Sequence, residues 1–490
     1  MNSSLIFSLA SHSLLLYSLL LLIPGMVSLV PLWGTPTQLG NEQWAFILPV
    51  SLTFILSGIF RLKVNKKEKI RSAAPTLRTV FLIVTLCWII AAAIGSLPYL
   101  IELDISLSDA YFEAMSGFTT TGATVIADVE AMSPGLNLWR CLTQWVGGMG
   151  IIILFVSVLP ILGAGGYNFF RAEIPGGTNV EKIKPRVAET AKTLWKLYIF
   201  LTFWAILFLK LAGLSLMDAV CHALATMPTG GFSNKNMGVS AFESPLVEVI
   251  LIVFMVIVGV NFSLHFHFRH GKNVYLKNSE FCTYIYILVS ASFVLASILL
   301  LTGVPDYSPF EAVISAVFQV LYIVTTTGYS SEDFNQWAPA CKLILFTLMF
   351  VGGCVGSTGG SVKVLRWRVI VKALLRELYQ TVNPRTVVVI RSGEDAVPDK
   401  AVLSIFCFML FFMLSFLLGS FVFALTGLDL VSALSAGASA IGNVGPGLGS
   451  VGPASTFAHL HPFAKWVFIF LMLIGRLELY TVLLIFYGRR

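Results

Sequence analysis

The sequence predicts an all-α polytopic membrane protein, with four helix–pore-helix–helix repeats around one pore and two N-terminal transmembrane helices. Three observations support this class. Of 490 residues, 57% are hydrophobic and only 12% are charged, whereas soluble domains are about a quarter charged. The mean hydropathy of +0.85 leaves too little polar surface to cover one large soluble core. Finally, long apolar runs alternate with four similar short segments. The same composition excludes a disordered chain, a collagen and a disulfide-stapled scaffold.

A membrane location also explains the charge and the cysteines. Lys and Arg outnumber Asp and Glu by 32 to 25, so the net charge is +7. Nucleic-acid binding is one interpretation of this excess, but basic cytoplasmic loops are the better one, and we expect no nucleic-acid partner. The seven cysteines are scattered, mostly in apolar runs, and none forms a C-x-x-C pair. We interpret them as packing residues rather than as disulfides or metal ligands.

Two apolar runs open the chain. Residues 13–30 lack a basic leader and a small-residue cleavage site, and the run is long enough to span a bilayer. It is therefore predicted to be a retained helix and not a signal peptide. Residues 44–60 form the second predicted helix, and a basic stretch follows at residues 61–71.

A pattern then repeats four times. A long apolar leading helix precedes a short semi-polar segment, a Thr/Gly-rich stretch and a long apolar trailing helix, which gives eight further predicted spans and ten in all. The leading helices are predicted at about residues 77–101, 194–214, 282–301 and 401–425, and the trailing helices at about 138–162, 245–268, 341–377 and 462–487. The chain is divided accordingly into residues 1–71 (N-terminal helices and basic loop), 72–170 (first repeat), 171–277 (cytoplasmic loop and second repeat), 278–378 (third repeat with an intramembrane loop) and 379–490 (cytoplasmic loop and fourth repeat).

Charge predicts the orientation. Basic clusters lie at residues 61–71, 171–196, 269–277, 363–391 and 489–490, and acidic residues gather in the loops on the other side. Because Lys and Arg are enriched in cytoplasmic loops, the basic loops and both termini are predicted to be cytoplasmic.

Each short segment opens with an [ST]-x-x-[DE] pattern, the signature of a helix N-terminus. The four tetrapeptides are Ser106–Asp109, Ser215–Asp218, Ser308–Glu311 and Thr426–Asp429. The helices that follow are too short to cross a bilayer, so they must dip in and return. Non-helical backbone is tolerated at that depth only when it is buried in protein or lines a watery cavity. We therefore expect the four segments to surround one pathway.

The short helices also end alike, in TTTGAT from Thr119, TGGFS from Thr229, TTTGYS from Thr325 and GNVGPG from Gly442. Glycine permits the unusual φ and ψ that turn successive carbonyls to one side, and a ring of carbonyls can replace the water around an alkali cation. The C-terminal ends of the short helices add negative partial charge. The alternative is four glycines that only pack helices. The candidate cation-binding residues are Thr120, Thr121, Gly122, Thr229, Gly230, Gly231, Thr326, Thr327, Gly328, Asn443, Val444 and Gly445.

Taken together, these features resemble the Trk/Ktr/HKT superfamily of K⁺ transporters, and within it the bacterial Trk branch of TrkH- and TrkG-like uptake proteins. The resemblance covers nearly the whole chain. The motifs that carry it are QWVGGMGIIIL from Gln144, KIKPRVAETAKTLW from Lys182, GVNFSLHF from Gly259, GGCVGSTGGSVKVLR from Gly352 and GRLELYTVL from Gly475. Two filter segments depart from the pattern, because the second has no Thr pair and the fourth has no Thr.

The resemblance implies a function and its partners. K⁺ is the transported ion, selected with Rb⁺ over Na⁺ by the four filter segments, and the chain binds no organic cofactor. The protein forms a homodimer in the bacterial inner membrane, within the lipid bilayer. A cytosolic TrkA-like nucleotide-binding subunit regulates it.

A glycine-rich stretch inside the third trailing helix is the predicted gate. Five glycines in ten residues cannot hold a straight helix. One interpretation is a kink with close packing, and the one that the resemblance favours is an intramembrane loop under the filter. Its residues are Gly352, Gly353, Gly356, Ser357, Thr358, Gly359 and Gly360.

Arg476 is the second gate candidate. It is 11 residues from Lys465 and 13 from Arg489, roughly 16–20 Å at 1.5 Å per residue, so snorkelling does not easily reach either surface. An intramembrane Arg indicates function by default, and in the family it projects into the pore below the filter. The alternative is a structural ion pair with an acid on a neighbouring helix. Glu478, two residues on, faces elsewhere and is the better candidate for a structural partner.

Two other classes of function remain to be weighed. A Na⁺- or H⁺-coupled secondary transporter of another small solute also uses broken helices, but it would show two inverted repeats rather than four parallel ones. An intramembrane enzyme would need a nucleophile, metal or paired-Asp site. Because the sequence has no such pattern, the protein is predicted not to be an enzyme.

Overall fold

The computed structural model describes residues 3–29, 40–63, 77–158, 187–269, 274–303, 307–329, 331–393 and 395–478. Its described elements are almost entirely helical. In chain order they are α1 (Ser3–Leu29), α2 (Asn41–Leu62), α3 (Leu77–Gly95), α4 (Leu97–Leu103), α5 (Leu107–Phe118), α6 (Pro134–Val158), α7 (Val187–Leu211), α8 (Leu216–Thr226), α9 (Pro245–Val258), α10 (Phe262–Arg269), α11 (Ser279–Thr302), α12 (Pro309–Val324), α13 (Pro339–Leu348), α14 (Val364–Val382), β1 (Arg391–Ser392), β2 (Asp395–Ala396), α15 (Asp399–Leu425), α16 (Leu430–Gly442) and α17 (Pro462–Leu477).

The N-terminal and leading helices are the clearest spans. Among the described residues, six helices are long and apolar enough to cross a membrane, and they are the two N-terminal helices and the four leading helices. The leading helix of the first repeat is divided into α3 and α4 at Ser96, just before Pro98, although together they cover one span. The predicted leading helices are thus all present within about three residues of their expected bounds, except that the second begins at Val187, seven residues earlier than expected.

The short helices α5, α8 and α12 begin as predicted. Ser106 Oγ accepts a hydrogen bond from the Asp109 N–H at 3.2 Å and Ser215 Oγ accepts one from the Asp218 N–H at 3.1 Å. Ser308 and Glu311 form a complete reciprocal capping box. These N-caps satisfy backbone donors at ends that would otherwise be costly to bury. The helices contain 12, 11 and 16 residues, or roughly 16–24 Å, less than the ~30 Å hydrocarbon core.

The predicted start of the fourth short helix is wrong. Thr426 ends the preceding helix α15, and its hydroxyl donates to the Phe423 carbonyl at 2.9 Å. Asp429 is the N-cap of α16 and accepts from the N–H groups of Val431 and Ser432. An aspartate caps a helix as well as serine or threonine does, so the pattern matched one turn too early. With this start, the ring glycine follows its N-cap by 16 residues in repeats one, two and four, and by 20 in repeat three, an extra turn.

The trailing helices are less regular than predicted. In the second repeat the expected single helix is wrong, because α9 and α10 meet at an angle of 96°. The bend follows Gly259, where a Cβ atom would lie 2.2 Å from the Tyr284 hydroxyl and whose carbonyl accepts from the Cys354 N–H at 2.9 Å. In the third repeat the expected break is present, since helix is absent between α13 and α14. The predicted ends of the first and fourth trailing helices lie outside the described residues.

The fourth repeat packs against the first. Lys465 of α17 and Asp109 of α5 form an ion pair at 2.5 Å, although they are 356 residues apart. Lys465 also donates to the Ala458 carbonyl at 2.8 Å. The repeats therefore close on themselves. Parts of the basic clusters used to predict the orientation lie outside the described residues, namely residues 64–71, 171–186, 270–273 and 489–490.

Candidate ion pathway

All four short helices end in the same backbone structure. The residue that leaves the helix has a positive φ of 53–59°, and its N–H bonds to the carbonyl three positions earlier. The next N–H bonds to the carbonyl five positions earlier, at 2.8–3.0 Å in all four repeats. These two bonds define a Schellman C-cap. The positive-φ residues are Thr120, Thr229, Thr326 and Asn443, all buried.

Three of these caps use threonine where glycine is usual. A β-branched residue in the left-handed region is strained, at a cost on the order of 1–3 kcal/mol, and such strain concentrates at functional sites. Tertiary contacts hold the conformation. Thr326 Oγ1 accepts from the Gly360 N–H at 2.7 Å, and Asn443 Nδ2 donates to the Met472 carbonyl at 2.9 Å. The sequence predicted an unusual φ only at the glycines, although these four residues are among the candidate cation-binding residues.

A second left-handed residue follows two positions later in every repeat, and it is always glycine. The φ angles are 80° at Gly122, 76° at Gly231, 77° at Gly328 and 105° at Gly445. The intervening residue has no positive φ. Each segment therefore alternates left-handed residues with one of ordinary φ, which is the irregular backbone that a row of carbonyls facing one way requires.

The four glycines meet in a closed ring. At each one, a Cβ atom would collide with the carbonyl oxygen of the next segment, at a position equivalent in all four repeats. Because the fourth contact returns to the first segment, the segments lie in the cyclic order one, two, three, four. The distance from this added Cβ to the carbonyl oxygen is 2.2 Å for Gly122 and Gly230, 2.5 Å for Gly328 and Val444, and 2.7 Å for Gly445 and Thr121, and it is shortest for Gly231 and Thr327. All twelve candidate cation-binding residues belong to these segments.

Different side chains support the ring behind each segment. In the first and third segments the hydroxyls of Thr119 and Thr121, and of Thr325 and Thr327, lie 2.8 and 2.7 Å apart. The second and fourth segments have no such pair, and they are the two segments whose sequences depart from the Thr-rich pattern.

Gln144 and Asn443 take the place of the missing threonine pairs. Gln144 donates to the Gly230 carbonyl at 2.6 Å and accepts from the Phe232 N–H at 3.1 Å. A Cβ at Gly230 would lie 2.4 Å from the Gln144 side chain, so a larger residue there would displace the Gln144 amide from its two hydrogen bonds. Asn443 ties the fourth segment to Thr121 Oγ1 at 3.0 Å. Both segments that depart from the pattern are thus held by side-chain amides.

The glycine-rich stretch lies against the C-terminal ends of the short helices. Thr358 Oγ1 donates to the Met227 carbonyl at 3.2 Å, and a Cβ at Gly360 would lie 2.4 Å from the Gly442 carbonyl. Together with the bond from Gly360 N to Thr326, these contacts reach the second, third and fourth repeats. The candidate gate residues Gly352, Gly353, Gly356, Ser357, Thr358, Gly359 and Gly360 are therefore brought together beside the ring.

Backbone groups and one carboxylate anchor the ends of this stretch. Buried Glu280, on the leading helix α11, accepts from the Val355 N–H at 2.8 Å. Phe262 N donates to the Gly356 carbonyl at 3.2 Å, just after the bend in the second trailing helix. Lys363 donates to the Gly359 carbonyl. The glycine-rich stretch therefore packs against the bend between α9 and α10.

Arg476 lies beside the stretch and contacts carbonyls. It is 3% exposed, and its Nη1 donates to the Thr358 carbonyl at 2.7 Å while Nη2 lies 3.5 Å from the Gly147 carbonyl. No carboxylate among the described residues pairs with it. Glu478 instead pairs with Arg366 at 2.7 Å, which agrees with its expected structural role. A cavity of about 20 Å³ is lined by Gly359 and Gly360 of the stretch and by the charged residues Lys363, Arg366, Arg476 and Glu478, with room for about one water.

The sequence did not point to Gln144 as a support, nor to a buried pair, Glu113 and Arg140, at the exits of the first two segments. Their side chains are 0% and 2% exposed and lie 2.8 Å apart. The available signal was a charged residue within an apolar segment, as for Arg476. Glu113 and Arg140 both have polar neighbours in the sequence, so neither stands out as a charge in an apolar run.

The geometry defines a class of protein: a multi-span α-helical membrane protein with a cation-transport architecture. A family model described as TrkH, cation transport protein, matches residues 50–488. The chain belongs to the TrkH family of cation transport proteins. It is therefore a transporter and not an enzyme, as predicted.

Relatives and a solved structure agree with this assignment. The Trk system potassium uptake protein TrkH of Salmonella typhimurium (strain LT2) is 36% identical over 476 residues, 96% of each chain. The Trk system potassium uptake protein TrkG of Escherichia coli (strain K12) is 32% identical over 415 residues, covering 84% of this chain and 85% of that protein. The crystal structure of the potassium transporter TrkH from Vibrio parahaemolyticus matches with a TM-score of 0.87 at 35% identity, covering 100% of this chain and 99% of that one. The predicted fold class and family are confirmed.

Proposed function

We propose that the chain is the K⁺-translocating membrane subunit of a Trk-type potassium uptake system. The observation that carries the proposal is the closed ring of four equivalent segments, each entered from a Schellman cap and each bearing a left-handed glycine. The names of the relatives, Trk system potassium uptake proteins, point to the same ion.

In this proposal the ring is the selectivity filter. The carbonyls of the twelve candidate residues, with K⁺ as the only metal they hold, replace the hydration shell of K⁺ or Rb⁺. Na⁺ and Li⁺ are smaller and hold their water more tightly, so the same ring compensates their dehydration less well. The short helices aim their C-terminal ends at the ring, which lowers the cost of a cation at this depth.

The gate lies next to the filter. The glycine-rich stretch of residues 352–360 lies against three short helices, and Arg476 holds the Thr358 carbonyl. The positive charge repels a cation that approaches the ring from this side, and displacement of the stretch opens the way. No ion pair with the described residues offsets the charge of Arg476.

The remaining features follow from the same family. The protein acts as a homodimer in the bacterial inner membrane, with both termini in the cytoplasm, and a cytosolic TrkA-like nucleotide-binding subunit controls the gate. K⁺ is cargo, and no organic cofactor is needed. The divisions at residues 72–170, 171–277, 278–378 and 379–490 correspond to the four quadrants of the pore, with residues 1–71 outside it.

Cation flux into liposomes tests the proposal. Purified protein is reconstituted, and uptake of K⁺, Rb⁺, Na⁺ and Li⁺ is measured in turn, with protein-free liposomes as the control. We expect K⁺ and Rb⁺ to enter at comparable rates and Na⁺ and Li⁺ far more slowly. Uptake of Na⁺ as fast as that of K⁺, or of none of the four, contradicts the proposal and favours a transporter of another solute.

A further inference from the structure

A buried ion pair lies directly outside the ring. Glu113 is on the first short helix α5 and Arg140 on the first trailing helix α6. Arg140 Nη2 and Nε lie 2.8 and 2.9 Å from Glu113 Oε1. Burying two charges is costly even when they are paired, so such a pair indicates a positioning role better than a gain in stability.

Glu113 holds the exit of the first ring segment. Its two carboxylate oxygens accept from the Thr124 hydroxyl at 3.0 and 3.1 Å, and one accepts from the Val125 N–H at 3.0 Å. Thr124 is two residues beyond Gly122, so this contact fixes the chain immediately after the ring. Charge-assisted bonds of this kind are roughly twice as strong as neutral ones.

Arg140 holds the equivalent exit of the second segment. Its Nη1 donates to the Ser233 carbonyl at 2.9 Å, and its guanidinium lies 4.2 Å from the centroid of the Phe232 ring. Ser233 is two residues beyond Gly231, as Thr124 is beyond Gly122. One ion pair therefore connects corresponding points of two neighbouring segments.

The other repeats lack this ionic connection among the described residues. Nine positions before its ring glycine, each short helix carries Glu113, His222, Gln319 or Ala436. His222 and Gln319 bond to hydroxyls in the exits of their own segments, Ser233 and Ser331, at 3.0 and 3.2 Å. Only in the first repeat does a charge at this position reach, through Arg140, the neighbouring segment.

We propose that the Glu113–Arg140 pair is a positioning element that sets the distance between the first and second ring segments and so contributes to cation selectivity. The inference rests on the proposed function. Gly122 approaches the Gly230 carbonyl so closely that a Cβ would lie 2.2 Å from it. The first and second segments therefore cannot come closer to each other. Loss of the pair lets them move apart, and the ring then fits K⁺ less well.

Two variants test the inference through the ratio of K⁺ to Na⁺ flux in liposomes. Glu113→Gln removes the charge but keeps a side chain that the third repeat already uses as Gln319. Thr124→Val leaves both charges in place and removes the filter-exit hydroxyl, which donates to Glu113 and accepts from Arg140 and from the Ile126 N–H. We expect Glu113→Gln to lower the ratio about tenfold, or about 1.4 kcal/mol of barrier difference, and Thr124→Val to lower it less. Arg140→Lys keeps the charge without the forked donor and should retain part of the ratio.

Asp109→Asn is the matched control. Asp109 lies one turn earlier on the same helix and pairs with a trailing helix through Lys465, but it does not contact a filter exit. Its loss should lower the melting temperature and leave the flux ratio unchanged. A folded Glu113→Gln or Thr124→Val protein with the wild-type ratio overturns the inference, as does an equal fall in Asp109→Asn. If the wild-type protein itself fails to discriminate, the proposed function fails first and this inference with it.

Discussion

Arg476 contacts carbonyls, and no carboxylate among the described residues forms an ion pair with it. Its guanidinium contacts the carbonyls of Thr358 and Gly147, and the neighbouring acid Glu478 pairs with Arg366 instead. The carbonyls accept from Nη1 and Nη2, whereas Nε has no hydrogen-bond partner among the described residues, and the partial charges of carbonyls do not neutralise the guanidinium. The structural alternative, in which Arg476 neutralises a buried acid, finds no such acid among the described residues.

Removal of this charge should speed transport. Two unit charges 5 Å apart repel by roughly 3 kcal/mol at an effective dielectric near 20, and even about 1.4 kcal/mol surviving would change flux roughly tenfold. We predict that Arg476→Ala gives a folded protein with faster K⁺ flux in liposomes. Lys465→Ala, on the same helix, removes a buried cation that is paired with Asp109. This control should lower the melting temperature without raising the flux. An Arg476→Ala protein that melts much earlier and transports no faster rejects the pore-facing role.

The glycine-rich stretch of residues 352–360 is a separate element that is attached to the rest of the protein by few contacts. It has few side chains, and it contacts two short helices, Glu280 and the bend in the second trailing helix through single hydrogen bonds. Its contact with the fourth short helix is the close approach of Gly360 to the Gly442 carbonyl. Bonds of this kind contribute about 0.5–1.5 kcal/mol each, so together they permit a change between a seated and a displaced state.

Shortening the stretch should remove its control. We predict that deletion of the three residues 356–358 raises basal K⁺ flux and weakens regulation by a cytosolic partner, because the shorter chain cannot reach the short helices. Flux and melting temperature are measured on one preparation. Unchanged or slower flux in a protein with the wild-type melting temperature would show that the stretch is only a packing kink.

The elements differ in how far their sequences reveal them. The capping patterns at Ser106, Ser215 and Ser308 are local, and their predicted helix starts are confirmed. At Thr426 the same pattern misleads, because Asp429 satisfies the helix end alone. The bend after Gly259 depends on Cys354 and Tyr284, which lie far along the chain. Such contacts cannot be inferred from the local sequence of the helix.

At the scale of the whole molecule, internal similarity predicted four segments around one pathway. It could not reveal the cyclic order, which depends on contacts such as that of Gly445 with the Thr121 carbonyl. Nor could it reveal that Lys465 joins Asp109 across 356 residues. These contacts link distant parts of the chain, and one sequence records no pairing between them. The twelve candidate cation-binding residues lie in the ring segments because each segment has its own local signature. Gln144 and Arg140 gave no such signal, because both reach from the first repeat to the second segment.

The central claim is that the four-glycine ring selects the cation, and a pair of glycine variants tests it most directly. Gly328 and Gly303 both have a positive φ, 77° and 61°, but a Cβ at Gly328 would lie 2.5 Å from the Val444 carbonyl, whereas nothing lies within 4 Å at Gly303. The two serine variants therefore share the backbone strain and differ in the clash at the ring. The measurement is the ratio of K⁺ to Na⁺ flux in liposomes. We predict that Gly328→Ser lowers this ratio and that Gly303→Ser retains it. A folded Gly328→Ser protein that discriminates as the wild type does would contradict the account.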